Sequence, residues 1–186
     1  SGDTIRRSLL RGSGGVLYTI YCKLASEILF IGYSTDSGST WNEVSSTVKI
    51  GDGGSGENCF AFAIDSTDTI HVVYKKFSDA KGYYRQFSNL TWGSEEAVSS
   101  TDAVFFMDIA VDSGDIPHVV WRTDTTASAL RYNNRVGGTW SVLTTLKAGL
   151  AADPFIVIDS LNYIYVFYER STLCYVKYTS FWTAEV

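Results

Sequence analysis

The stretch Ile64-Asp65-Ser66-Thr67-Asp68-Thr69-Ile70-His71-Val72-Val73-Tyr74-Lys75 returns as Val111-Asp112-Ser113-Gly114-Asp115-Ile116-Pro117-His118-Val119-Val120-Trp121-Arg122. It returns again, more loosely, as Ile158-Asp159-Ser160-Leu161-Asn162-Tyr163-Ile164-Tyr165-Val166-Phe167-Tyr168-Glu169. Asp65, Asp112 and Asp159 are each 47 residues apart. Every copy is an apolar, β-branched or aromatic run cut by a short Asp/Ser/Thr turn, the pattern of a hairpin. A fixed period of this length in which each unit is all strand predicts an all-β protein of propeller type.

The rest of the 186 residues carries the same grammar. Four repeats are expected, near residues 5–50, 58–100, 104–147 and 154–186, in one propeller-like domain over 1–186. Strands are expected at 16–21, 28–33, 44–50, 59–65, 70–76, 82–87, 104–112, 116–122, 129–133, 141–146, 155–159, 163–168 and 173–178, and no helix. Tyr33 precedes Trp41 by eight residues, Tyr84 precedes Trp92 by eight and Tyr132 precedes Trp140 by eight. Trp182 follows Tyr178 after a turn four residues shorter. Each repeat then carries one tryptophan at the turn that follows its third strand. A single four-stranded meander cannot bury both its faces, so neighbouring units must stack. The Ile-Asp, Val-Asp, Ile-Asp strands are expected innermost, along the axis. Four repeats allow a small closed ring, part of a larger propeller, or a half that pairs with a second copy, with residues 3–5 able to complete the fourth unit.

Composition narrows function more than it assigns it. Hydrophobic residues are 45% and aromatics 15%, with 12 Tyr, 10 Phe and 5 Trp. That argues against disorder and for strands. A net charge of -5 disfavours a nucleic-acid partner, which needs a basic footprint, though it leaves room for local basic spots. No apolar run reaches the roughly 18 residues a membrane span needs. Cys22, Cys59 and Cys174 form no CxxC pair and read as small core residues, with a Cys22–Cys59 or Cys22–Cys174 bridge left open. Gly51 to Glu57 is Gly-rich but has no Lys-Ser/Thr ending, so it is no phosphate loop. His71 and His118, with Tyr165 at the third equivalent position, read as a structural column; one His per repeat makes no metal site. The Asp65/Asp68 and Asp112/Asp115 turns lack the oxygens for Ca²⁺ and read as capped turns. No metal or other cofactor is expected.

The segment Ser34-Thr35-Asp36-Ser37-Gly38-Ser39-Thr40-Trp41 deserves separate reading. An Asp in a tight turn accepts from backbone N–H groups further on, and Gly supplies a positive φ. The indole is expected to lie back over the hairpin. The segment resembles the Asp box, Ser-x-Asp-x-Gly-x-Thr-Trp, of bacterial neuraminidase repeats, filled here by Ser34, Asp36, Gly38, Thr40 and Trp41. In the second repeat Arg85, Phe87 and Asn89 replace the Ser, Asp and Gly, while Trp92 remains. The resemblance implies a sialidase-like propeller, and such boxes serve structure in many propellers. It implies a glycan- or protein-binding or assembly module on a secreted, cell-surface or phage structural protein, that is, an extracellular, cell-surface or virion setting. The alternative it implies is a sialidase-like glycoside hydrolase acting on acidic sugars. Against the enzyme, the Arg-Ile-Pro signature of that family is absent, since Asp115 precedes Ile116-Pro117.

In such a unit the box falls on the end opposite the ligand mouth. The mouth is expected from residues 22–27, 75–81, 122–128 and 169–172 and from the loops 51–58, 99–103 and 147–153. Lys75, Arg122 and Glu169 share one repeat position and are expected at this mouth with Asp124, Arg170 and Trp121. Arg122 offers a planar fork to a carboxylate. Tyr74, Trp121 or Tyr168 could stack on a sugar ring if they face outward. Solvated strand-end charge is the plain alternative. The expected partner is a glycan or a protein surface, with a homo-oligomer as the way to complete the array.

Overall fold

A computed structural model describes residues 9–23, 26–50, 60–76, 78–99, 101–123, 128–149 and 152–186. The described residues form strands and turns without a helix. The first sheet runs β1 (Leu10–Arg11), β2 (Leu17–Lys23), β3 (Ile28–Ser34) and β4 (Asn42–Lys49). The second holds β5 (Phe60–Ile64), β6 (Ile70–Lys75), β7 (Gly82–Ser88), β8 (Thr91–Trp92) and β9 (Glu96–Ala97). The third holds β10 (Val104–Val111), β11 (Pro117–Thr123), β12 (Leu130–Val136), β13 (Thr139–Trp140) and β14 (Thr144–Lys147). The fourth holds β15 (Ala152–Ile158), β16 (Ile164–Glu169) and β17 (Leu173–Tyr178). All pairings are antiparallel, and most join sequence neighbours through short turns, while β9 pairs with β7 and β14 with β12.

Alternation along each strand sends one set of side chains to the preceding sheet and the other to the following one. Three apolar cores result. Ile20, Leu29, Ile31, Val48 and Ile50 meet Phe62, Ile70, Val72, Tyr74 and Phe87 between the first and second sheets. Ala61, Val73, Tyr84 and Val98 meet Val104, Met107, Ile109, Val119 and Trp121 between the second and third. Val120, Leu130 and Tyr132 meet Ile156, Ile164, Val166, Tyr168, Cys174 and Val176 between the third and fourth. None of the three joins the fourth sheet to the first, so the array of described residues is open rather than a closed ring. Strand β10 contacts both β5 and β15, and the three line a cavity of about 290 Å³. Ile156 N–H crosses to Asp108 Oδ2 at 2.9 Å there.

The first-strand turns explain the repeated Asp. Asp65 Oδ1 accepts the N–H groups of Thr67 and Thr69, Asp112 Oδ1 those of Gly114 and Ile116, and Asp159 Oδ1 those of Leu161 and Tyr163, all at 2.8–2.9 Å. Residues Asp68, Asp115 and Asn162 close these turns with φ of 64°, 60° and 61°, a region Asp and Asn tolerate better than most residues. Their side chains then reach the preceding sheet. Asp68 accepts from the Ser13 amide and hydroxyl and Asp115 from those of Ser66, while Asn162 accepts from the Ser113 amide and donates its Nδ2 to the Ser113 hydroxyl.

The edge of β17 where residues 3–5 were expected is taken, at Tyr175 and Lys177, by the chain's own end. Thr183 N–H donates to Lys177 O at 2.8 Å, and Val186 and Tyr175 exchange both backbone bonds at 3.1 Å. Residues 3–5 lie outside the described residues. Cys22 and Cys174 are free thiols, which removes the bridge between them, and Cys59 lies outside the described residues.

Candidate functional site

The connection between β16 and β17 and the ends of β11 and β15 enclose a cleft of about 650 Å³. Arg122, Ser128, Glu169, Arg170, Thr172 and Glu185 are among its lining residues. Antiparallel pairing puts the end of β11 and the start of β15 on the same edge of the array, which is why residues far apart in sequence converge here.

Arg122 is the distinctive group. Its guanidinium carbon stands 4.3 Å from the ring centre of Phe105 and 5.1 Å from that of Phe106. These adjacent aromatics break the strand alternation because β10 is bulged between Val104 and Met107. A bulge adds an unpaired residue and re-aims side chains, so two rings reach one guanidinium. Arg122 Nε is buried and has no hydrogen-bond partner in the protein. Lys75 is almost fully buried and also stands over the Phe105 ring, with Nζ 5.4 Å from its centre.

The carboxylates have unequal surroundings. Glu185 is ion-paired with Lys147 and lies 3.4 Å from Arg170. Hydrogen bonding from Lys147 first, then from the Cys174 thiol, holds its pKa down at about 2 despite some burial. Glu185 is thus ionised at neutral pH and cannot serve as a proton donor there. Glu169 is exposed at the rim. Arg131 is paired with Asp102 at 3.2 Å, Arg135 makes a two-pronged contact with Glu96 at 2.8 Å, and Arg85 donates to Gly93 O and Ser46 O. Two arginines, Arg122 and Arg170, therefore share the cleft among the described residues.

Of the residues expected at the mouth, Arg122, Glu169 and Arg170 come together. Lys75 is buried near the Phe105 ring and is not part of the lining. Asp124 lies outside the described residues, as do 51–59 and 125–127 of the expected loops. Trp121 is fully buried between the second and third sheets, and Tyr74 and Tyr168 are no more than 1% exposed. The stacking role expected of these rings is corrected accordingly: they are the large residues of the inter-sheet cores. Sequence reasoning passed over Phe105 and Phe106, although two adjacent aromatics inside an alternating strand are a signal of a bulge. It also passed over Glu185 and Lys147, which nothing in the repeat pattern marks.

The other candidates are structural. His71 is bonded between Asp65 Oδ2 (3.0 Å) and Tyr84 Oη (2.7 Å), and His118 between Asp112 Oδ2 (3.2 Å) and Tyr132 Oη (2.7 Å). Among the described residues no group of three or more His, Cys, Asp or Glu is placed to hold a metal ion. In the turn after β3, Asp36 accepts from the Thr40 amide (2.8 Å), the Thr40 hydroxyl (2.7 Å) and the Ser34 hydroxyl (2.7 Å). Those bonds, the Thr40 amide foremost, lower its pKa to about 2. Gly38, at φ 91°, donates its N–H to Ser34 Oγ at 2.8 Å. Trp41 itself is 45% exposed, not folded under a neighbouring sheet. By contrast Trp92, Trp140 and Trp182 each pack against the core shared with the preceding sheet.

No protein-family model matches the chain, and no curated protein does. Solved structures do. A polysaccharide lyase superposes with a TM-score of 0.64 at 10% identity, over 95% of this chain and 53% of that one. An ulvan lyase, bound to a repeat of glucuronate and sulfated rhamnose, gives 0.65 at 13%, over 91% and 51%. The intramolecular trans-sialidase of Ruminococcus gnavus gives 0.61 at 12%, over 94% and 42%. The fold is propeller-like. The chain spans about half the length of these structures, and at such identities the likeness concerns the propeller-like fold alone.

Proposed function

We propose that this propeller-like chain binds acidic glycans through the Arg122 cleft and does not turn them over. The observation that carries the reading is Arg122: a guanidinium resting on two aromatic rings, its Nε buried without a protein partner, beside an open cleft. A carboxylate or sulfate on a sugar matches that fork in charge and geometry. Ser128, Ser171 and Thr172 line the same cleft and suit sugar hydroxyls. Glu185 is committed to Lys147 and Arg170, an arrangement that suits a fixed charge lattice for binding more than a carboxyl free for proton transfer. That similar folds occur in proteins named as lyases and a trans-sialidase supports a sugar ligand. The setting that follows is extracellular, on a cell surface or on a virion. Lys75, buried near Phe105, would set the field at the cleft rather than touch the sugar.

The test is calorimetry with a uronate-containing and a sulfated oligosaccharide, beside their neutral counterparts. Wild-type protein should bind the acidic sugars. Arg122→Ala should lose about 1.5–3 kcal/mol, the worth of a charged hydrogen bond, and Arg122→Lys should recover only part. Equal affinity for neutral sugars, or binding unchanged by Arg122→Ala, would remove the proposal. Release of new reducing or unsaturated ends from those oligosaccharides would favour the enzyme reading instead.

A further inference from the structure

The covered contacts between sheets obey one size rule. The second-strand residue facing the preceding sheet is a large aromatic: Tyr74, Trp121 and Tyr168, each no more than 1% exposed. On the second and third sheets the forward-facing residues are smaller, Ala61 and Val73 on one, Asp108 and Val120 on the other. The third-strand tyrosines Tyr84 and Tyr132 also face forward, and each receives the next sheet's indole edge-on. Trp140 meets Tyr84 with ring centres 5.2 Å apart, and Trp182 meets Tyr132 at 4.9 Å.

The two end sheets break this rule in opposite senses. On the first sheet, Thr19 pairs with Gly32 as Tyr74 pairs with Tyr83, so its backward face carries Thr19 and Gly32 where the second sheet carries two tyrosines. Those two residues line a hollow of about 200 Å³ with Tyr21 and the half-exposed Trp41. On the fourth sheet, Phe167 pairs with Tyr175 as Val73 pairs with Tyr84 and Val120 with Tyr132. Phe155 occupies the place of Ala61 and Asp108. Phe155, Phe167 and Tyr175 form an aromatic face: Phe155 stacks on Phe167 with ring centres 4.9 Å apart, and Tyr175 is tilted against Phe167 at 5.6 Å. Among the described residues, one end is hollowed and offers an indole with no ring against it, and the other is built up and offers a tyrosine that receives no indole.

We infer that the fourth sheet of one copy docks on the first sheet of a second copy, with Trp41 of each resting on Tyr175 of the other. The bulk missing at Thr19 and Gly32 is the bulk gained at Phe155 and Phe167. A further sheet following the internal rule would instead set a large aromatic against Phe167 and overpack it. The two faces lie at opposite ends of the open array, and one two-fold axis satisfies both at once. This inference is independent of the Arg122 cleft.

Multi-angle light scattering on the full chain at increasing concentration tests it. The expected mass is twice 20.5 kDa. Thr19→Trp, which refills the hollow, and Phe167→Val, which restores the residue type of Val73 and Val120, should each weaken pairing at least about tenfold. Val142→Asp, at a site 89% exposed, should leave it unchanged. Unchanged circular dichroism in Thr19→Trp separates lost pairing from lost folding. A monomer at every concentration, a dimer indifferent to both substitutions, or open polymers in place of dimers would each overturn the inference.

Discussion

At the scale of the residue, the Asp–His–Tyr columns tie stability to pH. Burial, more than any other influence, lowers the pKa of His71 below its ordinary 6.5, and the same holds for His118. Asp65 is also lowered: burial pushes it upward, but hydrogen bonds from His71, Thr67 and Thr69 prevail. The signs agree. A histidine with a depressed native pKa is protonated first in the unfolded chain, so stability falls as pH drops below about 6.5, before ordinary carboxylates titrate. A carboxylate with a depressed native pKa adds stability above its unfolded value near 3.8, and that share is lost as pH falls further through the native value. The melting temperature should therefore begin to fall below about pH 6.5 and steepen below pH 4. In a His71→Gln, His118→Gln variant the first of these declines should flatten, even though its melting point at alkaline pH is lower. An unchanged profile in calorimetric scans would refute the assignment. That both histidines were structural was legible from their 47-residue spacing. The burial of Trp121 was not legible, because alternation alone does not say which strand face meets a neighbour.

At the scale of the element, the first-strand turn does two tasks with one residue type. Asp65, Asp112 and Asp159 close their own turns, while Asp68, Asp115 and Asn162 clasp the serine of the preceding sheet. Asn162 fills the role that Asp115 fills one sheet earlier, so the clasp rests on hydrogen bonding and a left-handed backbone rather than on charge. Asp115→Asn should thus stay within about 0.5 kcal/mol of the parent, while Asp115→Ala should cost about 1–2 kcal/mol through the lost bonds and the strained φ. Urea unfolding of both variants measures the difference, and equal losses would show that charge is what matters. The turns were legible as capped turns because Asp, Ser, Thr and Gly punctuate apolar runs. The clasp between sheets was not, since it joins residues 49 or 55 apart whose nearness follows from stacking. The bulge that presents Phe105 and Phe106 to Arg122 likewise depends on how β10 meets β11.

At the scale of the whole molecule, the repeat period told the architecture and left its closure undecided. Three cores join four sheets, and each end presents a face with aromatic surface and no sheet against it among the described residues. A linear stack has nearest-neighbour stability, so its end sheets are held by one interface where the inner ones are held by two. The pairing through Trp41 and Tyr175 gives each end its second interface, and a state that exists only in the folded protein is stabilised by mass action. Melting temperature should then rise with protein concentration. Hydrogen exchange in β3 and β16 should slow in step with it, while exchange in the inner strands β6 and β11 should change little. Phe167→Val should abolish the concentration dependence while its melting point in dilute solution stays near that of the parent at the same dilution, because the substitution touches the face between copies rather than the core built by Val166 and Tyr168. A melting point independent of concentration in the parent chain would mean that its end sheets are stable with one neighbour each, and the reason for the exchanged sizes at Thr19 and Phe167 would have to be sought elsewhere.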